Sequence, residues 1–451
     1  MGTMETLPQQ QTRFPVGTLR IDVVEGPDAG RSYVADNETL TVGTADGNDL
    51  ILTDPTVSRF HLELVRREDG IAVVDHESTN GVDVGGVRLM RAVVPAGTLL
   101  RVGRSRLRVG EGQATTVELH GMDELGDLRG RSPSMRRLMA RLQKAAGTEK
   151  AVLLIGESGT GKEVCARVLH DLSPRASGPF ETVDCGTLSP NLVASELFGH
   201  ERGSFTGADR QHLGAFERAQ GGTLFLDEIG ELPAELQPAL LGVLERQRIR
   251  RVGGRADIPI DVRVVSATNR DLRAEVNNNT FRLDLYYRLA IIVCQIPPLR
   301  ERPEDVPMLI EHFLKEAGRS EAIEAVFSPE TLAALRRHPW PGNVRELRNL
   351  VEVTIAMGEQ PELDETVRVT GEQAASGEGG ANSSAGDSGD LIAPLLELTY
   401  AEARDRLLRG FEGRYLRALL ERAEGNVSRA SRLGRMDRSH LINLLSRHNI
   451  R

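Results

Sequence analysis

Apolar and polar positions alternate in short runs over residues 17–110: Thr18–Val24, Thr39–Val42, Phe60–Arg66, Ile71–Asp75, Thr98–Val102 and Leu107–Val109, parted by Gly, Asp and Asn. A period of two between turn residues predicts a β-sandwich. From Leu138 to about Met357 the pattern changes to apolar runs alternating with stretches of helical period. A parallel sheet with crossover helices requires that alternation. Between Glu359 and Asp390 Gly, Ser, Ala and acidic residues take over with no aromatic residue, too little apolar surface for a core. That stretch reads as a flexible linker. Helical period returns over Leu391–Arg451. The predicted fold class is therefore multidomain: an all-β sandwich at 14–112, an α/β domain at 125–358 whose last part from about 300 is helical, a linker at 359–390, and an α-helical domain at 391–451.

Composition narrows the function classes. A chain of 451 residues, 39% apolar and 27% charged, has room for about three globular domains. No apolar run approaches the ~20 residues that span a bilayer, and the N-terminus lacks a basic flank followed by an apolar stretch. A cytoplasmic protein with no membrane partner is expected. The three cysteines, Cys165, Cys185 and Cys294, are widely spaced and lack metal-ligand patterns, so buried inert thiols are expected. Only four of the 56 basic residues are Lys, a bias that points to a GC-rich genome more than to a nucleic-acid surface. With a net charge of −9, any DNA contact must be local. The segment from Ala401 onward, with twelve Arg against six acids, is such a place.

The densest chemistry follows the apolar strand Ala151–Ile155, which runs into Gly156, Glu157, Ser158, Gly159, Thr160, Gly161 and Lys162, with a helical pattern from Glu163. This is a P-loop in its required strand, loop, helix setting. The glycines let backbone N–H groups wrap phosphate oxygens, the helix N-terminus adds about +0.5 charge, and Lys162 reaches the β and γ phosphates of ATP. Glu163 stands where many P-loops place a Ser or Thr for Mg2+, so the metal must lean on another group. The strand Gly222–Leu226 offers it, ending in Asp227 and Glu228 beside the P-loop of a doubly wound sheet. Asp227 suits the metal, and Glu228 suits orientation of the attacking water. A third strand, Val262–Thr268, ends in Asn269, which is placed to sense the γ phosphate.

With these strands in view, the stretch from about Arg131 to Met357 resembles the AAA+ domain of the sigma-54-dependent activators, the bacterial enhancer-binding proteins. Its most telling part is Glu196–Ala208, which contains Gly203, Ser204, Phe205, Thr206, Gly207 and Ala208. In that family this loop reads Gly-Ala-Phe-Thr-Gly-Ala and touches sigma-54; here Ser204 replaces the Ala. The residues alone say only that an exposed Phe between glycines favours a contact. The resemblance further implies that Phe281–Leu289 supplies arginine fingers, Arg282 and Arg288, to a neighbouring subunit's ATP, and that Arg345 of Trp340–Leu347 contacts nucleotide within its own chain. Asp184 lies where some members carry an Asn beside the catalytic Glu, and its role stays open.

At the N-terminal end, Asn48–Asp49, Asp54–His61 and Ser78–Gly81 resemble a forkhead-associated (FHA) domain, a phosphothreonine reader. One departure is Thr44, after Val42–Gly43, where that family has a phosphate-binding Arg. The likeness leaves Ser58, Arg59, Thr79 and Asn80 as the phosphopeptide site, with His61 holding the loop. At the other end, Asn426–Leu445 reads as a helix-turn-helix: Ala430 is small at the crossing, Gly434 turns the chain, and Asp437 caps the second helix. It is similar to the Fis-type domains of the same activators, which would set Arg438, Ser439, His440 and Asn443 at the major groove.

The expectation is an ATPase that binds enhancer DNA, assembles into a homo-oligomeric ring (a hexamer by family likeness), remodels the closed complex of sigma-54 RNA polymerase, and takes its input from a phosphothreonine protein or Ser/Thr kinase. Two rivals stand beside it. One is an AAA+ remodeller of DNA or another protein, and the other a phosphopeptide adaptor or repressor with a vestigial ATPase.

Overall fold

The computed structural model describes residues 13–358, apart from 68, 187–189, 206–207 and 320, together with Arg429. The expected linker, the helix-turn-helix with Arg438, Ser439, His440 and Asn443, and the loop residues Thr206 and Gly207 lie outside the described residues.

The N-terminal strands are β1 (Arg13–Glu25), β2 (Ser32–Val34), β3 (Thr39–Gly43), β4 (Leu50–Ile51), β5 (Leu62–Arg67), β6 (Gly70–Asp75), β7 (Val82–Val84), β8 (Val87–Leu89), β9 (Arg91–Val94), β10 (Leu99–Val102) and β11 (Ser105–Glu118). They form two sheets, ordered β2-β1-β11-β10-β7-β8 and β4-β3-β5-β6-β9. Alternation does what the sequence predicts: Leu19, Ile21 and Val23 are buried while Arg20 faces water, and Leu62, Leu64, Ile71 and Val73 close the core from the other sheet. β1 and β11 pair in antiparallel register from Arg13↔Glu118 to Glu25↔Arg106, well beyond the expected strands, because their outer halves are largely exposed and carry little apolar signal. Phe60 does not begin a strand. β5 starts at Leu62, and the Phe60 ring is buried outside the sandwich core.

A small hairpin, β12 (Glu124–Leu125) and β13 (Leu128–Arg129), leads into α1 (Pro133–Ala146), which Ser132 caps by accepting from the Met135 amide, with Pro133 in the first turn. The central sheet is parallel throughout, in the order β15 (Phe180–Asp184), β16 (Thr223–Asp227), β19 (Arg263–Thr268), β14 (Val152–Ile155), β20 (Ile292–Gln295); β17 (Arg248–Ile249) and β18 (Ile258–Pro259) form a separate hairpin. Its inner strands are buried on both faces, which is why they read as unbroken apolar runs. The helices are α2 (Lys162–Asp171), α3 (Pro190–Phe198), α4 (Ala215–Arg218), α5 (Gln237–Arg246), α6 (Leu272–Asn277) and α7 (Leu283–Leu289). Arg263, almost wholly buried in β19, donates to the Ala145 and Ala146 carbonyls and so satisfies the C-terminal end of α1. The strand that ends at Asp227 is not paired with the P-loop strand, because β19 is inserted between β16 and β14, yet its end still comes beside the P-loop, where Glu228 meets Lys162.

Residues 305–357 form a helical lid of α8 (Asp305–Glu316), α9 (Ile323–Val326), α10 (Pro329–Arg337) and α11 (Asn343–Met357) around Phe313, Phe327, Leu347 and Trp340, whose indole N–H donates to the Leu335 carbonyl. All three cysteines are buried and unpaired, and burial pushes the Cys165 and Cys185 thiols up to about 12. No helix among the described residues is long and apolar enough to cross a membrane.

Candidate nucleotide site

The P-loop lies between β14 and α2. Gly159 and Gly161 have φ of +77° and +102°, the left-handed region that glycine enters without cost. Gly159 is also packed tight: a Cβ there would come within 2.3 Å of the Gly342 carbonyl of the lid. Its own carbonyl accepts from the Val344 and Arg345 amides, so loop and lid are joined through backbone. Lys162 is 7% exposed and its Nζ donates to the Gly156 carbonyl at 3.1 Å. The same Nζ stands 3.1 Å from Glu228 Oε1. Glu163 points outward, paired only loosely with Arg167.

Glu228 follows β16 with φ of +48°, a conformation a glutamate adopts at a cost, and its second oxygen accepts from the Asn269 amide at 3.1 Å. Strained backbone here turns the carboxylate back over β19 toward the P-loop. Asp227, half-buried, accepts from the Glu228 amide at 3.0 Å. Burial pushes its carboxyl above the usual range, with the neighbouring Glu228 and Asp184 charges adding to the rise against the pull of that amide and of Lys162. Asp184 sits opposite Asp227 in register but accepts from the Gly186 amide and makes no bond to Glu228.

Arg345 reaches the loop from the lid, Nη1 donating to Ser158 Oγ at 3.1 Å. Two contacts were not anticipated. Asn343, buried with φ of +53°, donates to Glu157 Oε2 and the Ser158 carbonyl, and Arg300 pairs with Glu157 at 2.6 and 2.8 Å. Only an Asn after Pro341-Gly342, a residue pair that breaks regular structure, hinted at this in the sequence. Arg282 and Arg288 lie at the two ends of α7, both exposed; Arg282 pairs with Asp284, and Arg288 has no polar partner among the described residues. Neither is committed to its own P-loop.

In the loop at 203–208, the Gly203 amide donates to the Ala208 carbonyl, which folds the chain back on itself. Phe205 at its tip is 37% exposed, its ring edge-on to His200 at 4.9 Å. Ala208 is buried, and the buried Ser204 hydroxyl has no hydrogen-bond partner among the described residues.

Residues 128–295 match the sigma-54 interaction domain family, and residues 300–371 the AAA+ ATPase lid domain. Over 321 residues the chain is 43% identical to the transcriptional regulatory protein GlrR of Escherichia coli (strain K12), covering 71% of this chain and 67% of that protein. The chain belongs to the sigma-54-dependent transcriptional activators. Its central domain is a sigma-54 interaction AAA+ ATPase. A crystal structure of NtrX from Brucella abortus in complex with ATP is 36% identical, with a TM-score of 0.48 over 73% of this chain and 71% of that one. Residues 22–113 match the cytoplasmic domain of an inner membrane component of the T3SS. Over 21% of the chain a structure described as a phosphothreonine-dependent FHA domain aligns at 25% identity, with a TM-score of 0.20 and 98% of that chain covered.

In this activator's sandwich Ser58, Thr79 and Asn80 come together: the Thr79 amide donates to Ser58 Oγ at 3.0 Å, and Asn80 Nδ2 donates to the Thr56 carbonyl at 2.7 Å. His61 is wholly buried beneath them, Nδ1 accepting from the Ser58 amide and Nε2 near Ser78 Oγ and the Gly81 carbonyl; burial lowers its pKa, in keeping with a structural part. Arg59 does not join the cluster. Its guanidinium is turned away, onto Asn277 and Asn279 of the ATPase.

Proposed function

We propose that this activator assembles as a ring in the cytoplasm on enhancer DNA, hydrolyses ATP with Mg2+, and spends the conformational change on remodelling the closed complex of sigma-54 RNA polymerase, under control of a phosphothreonine signal received by the sandwich. The observation that carries the reading is the pairing of Lys162 with Glu228 at one end of the sheet while Arg282 and Arg288 are exposed and neither bonds to a P-loop residue among the described residues. A site with its lysine and water-orienting carboxylate in place, yet without an arginine for the γ phosphate from α7 of its own chain, is completed by a neighbour.

Lys162 and the P-loop amides hold the phosphates, Arg345 steadies the nucleotide from the lid, and Asn269 fixes Glu228 where a water can be oriented. Asp227 fits the metal: it is a hard oxygen donor raised by burial, with no cation within ion-pair distance among the described residues. Mg2+, when bound, would neutralise charge building on the phosphates. No described cluster of three His, Cys, Asp or Glu could hold a metal alone, which suits an ion shared with phosphate oxygens and water. Phe205, half-exposed on a folded-back loop, is the apolar contact offered to sigma-54, and Gly203, Ser204, Thr206, Gly207 and Ala208 complete the contact sequence.

Arg438, Ser439, His440 and Asn443 would read enhancer DNA, and Ser58, Thr79 and Asn80, joined by Arg59, a phosphothreonine. Transcription in vitro from a sigma-54 promoter, with and without ATP, tests the whole. ATPase activity without ATP-dependent open complexes would return the general AAA+ remodeller to the front.

A further inference from the structure

The end of the sandwich that carries Ser58, Thr79 and Asn80 is also the end fastened to the ATPase. Phe60 is 1% exposed although it lies outside the sandwich core. Its ring meets Tyr286 edge-on at 5.1 Å and Tyr287 at 6.5 Å, and the Arg273 guanidinium lies 5.8 Å over it. Asn277, the last residue of α6, clasps the same stretch by its side-chain amide. Its Nδ2 donates to the Phe60 carbonyl at 2.6 Å and the His76 carbonyl at 2.8 Å, and its Oδ1 accepts from the Phe60 amide at 3.3 Å. His76 Nδ1 is 2.6 Å from Asp271 Oδ2, the capping residue of α6, and Asn278 Nδ2 donates to Glu77 Oε2 at 2.6 Å. A buried aromatic anchor ringed by paired polar groups, with the buried His76 Nε2 alone among them lacking a partner among the described residues, is the anatomy of a specific interface.

These ATPase contacts fall within residues 271–287, the stretch that runs into and through α7 with Arg282 and Arg288. The one arginine of the 54–61 loop, the half-buried Arg59, is used up there, Nη2 donating to the Asn277 carbonyl at 3.1 Å and to Asn279 Oδ1 at 2.8 Å. Both acceptors are neutral amide oxygens. A phosphate is the stronger acceptor for a guanidinium, since the bond is then charge-assisted on both sides.

We infer that the sandwich clamps the arginine-bearing element and that Arg59 is shared between two exclusive acceptors: Asn277 and Asn279 of this chain, or the phosphate of a phosphothreonine segment on a partner protein. The inference rests on the phosphothreonine reading above. Capture of the phosphate takes Arg59 from α6–α7 and loosens the clamp. By reciprocity the clamp weakens phosphopeptide binding by the same factor, about five- to tenfold for a bond of this kind. Signal and arginine finger are thus coupled through one side chain.

The experiment uses the full chain and a degenerate phosphothreonine peptide library beside its unphosphorylated counterpart. Asn279→Gly removes the Oδ1 acceptor and suits the left-handed backbone there, φ +59°. Asn278→Asp sets a carboxylate against Glu77 and opens the clamp without touching Arg59. Both variants should bind the phosphorylated library about five- to tenfold more tightly than wild type, and in wild type the phosphorylated library should speed amide exchange across residues 271–287. Phospho-specific binding of equal strength in all three proteins, with exchange unchanged, would overturn the inference while leaving the phosphothreonine reading standing. Absence of phospho-preference in all three would overturn that reading and the competition with it.

Discussion

Lys162 Nζ and Glu228 Oε1 are 3.1 Å apart although the strands they follow, β14 and β16, are separated by β19. The two groups that chemistry needs most neutralise each other, and nucleotide phosphate, the richer acceptor, must draw Lys162 away and free Glu228 for water. Lys162→Ala should therefore weaken ATP binding by about 10- to 150-fold, the value of a charge-assisted bond. Glu228→Gln should bind ATP at least as well as wild type and lose about 10² to 10⁴ in turnover. Equilibrium binding and single-turnover hydrolysis on both variants check the pair, and unchanged constants in either would remove it from the site.

Arg288 gives a prediction about assembly. An arginine supplied by a neighbour is worth about 10³ to 10⁵ in rate. Specific ATPase activity should rise with protein concentration, and Arg288→Ala should bind ATP but hydrolyse it at the slow, concentration-independent rate. The check is a dilution series read by sedimentation and phosphate release together; a wild-type monomer with full activity would contradict it.

The nucleotide site was legible because its requirements are local: phosphate wrapping needs glycines and a lysine within a few residues, and a buried parallel strand shows as an apolar run. Strand order was not, since nothing in Val262–Thr268 says that it inserts between β14 and β16. Asn343 and Arg300 were missed for a similar reason, as their contacts with Glu157 span 186 and 143 residues of chain. Phe60 misled in a different way. A period of two marks a residue as buried but not what buries it, and here the partner is α6–α7, so Arg59 beside it is pulled out of the cluster that its sequence neighbours form.

Coupling can be separated from hydrolysis at Phe205. Half-exposed and resting on His200, its ring contributes little to the fold, so Phe205→Ser should change stability by less than about 1 kcal/mol. Thr206→Ala and Phe205→Ser should both retain ATPase activity and fail to form open complexes at a sigma-54 promoter. Permanganate footprinting of promoter DNA alongside phosphate release reads the two properties apart.

Asp227 links the site to pH. Burial raises its carboxyl, so the folded state holds that proton to higher pH than the unfolded chain does. Its favourable contribution is therefore fully present below the unfolded pKa and is lost as pH rises through the folded value, leaving an ionised, half-buried carboxylate as a cost near neutrality. Asp227→Asn should raise Tm at pH 7 to 8 while abolishing Mg2+-dependent hydrolysis, and the gain in Tm should fade as pH falls through the raised pKa. A thermal melt series from pH 4 to 8 decides it; a gain that grows on acidification would mean the wrong sign.

Thr44 gives the last prediction. The Gly43 position is so close to the 58–61 loop that a Cβ would lie 2.1 Å from the Arg59 carbonyl, and the Thr44 amide donates to the Ser58 carbonyl at 3.0 Å. Residue 44 therefore stands at the mouth of the Ser58, Thr79 and Asn80 cluster, where FHA domains carry the arginine that bonds phosphate. With Thr there and Arg59 held by Asn277 and Asn279, the cluster offers hydroxyls and an amide but no free guanidinium from either position. Wild-type binding of phosphothreonine should accordingly be weak. Thr44 is only half-buried, so a longer side chain can leave the fold intact, and Thr44→Arg should tighten binding by about 10- to 150-fold for one restored charge-assisted bond. Because this arginine does not compete with the clamp, the gain should appear without faster exchange at α6–α7, unlike that of Asn279→Gly. Calorimetry with phosphorylated and plain libraries gives the affinity. If Thr44→Arg gains affinity for both libraries alike, the new charge acts as a nonspecific patch and the cluster is not a phosphate site.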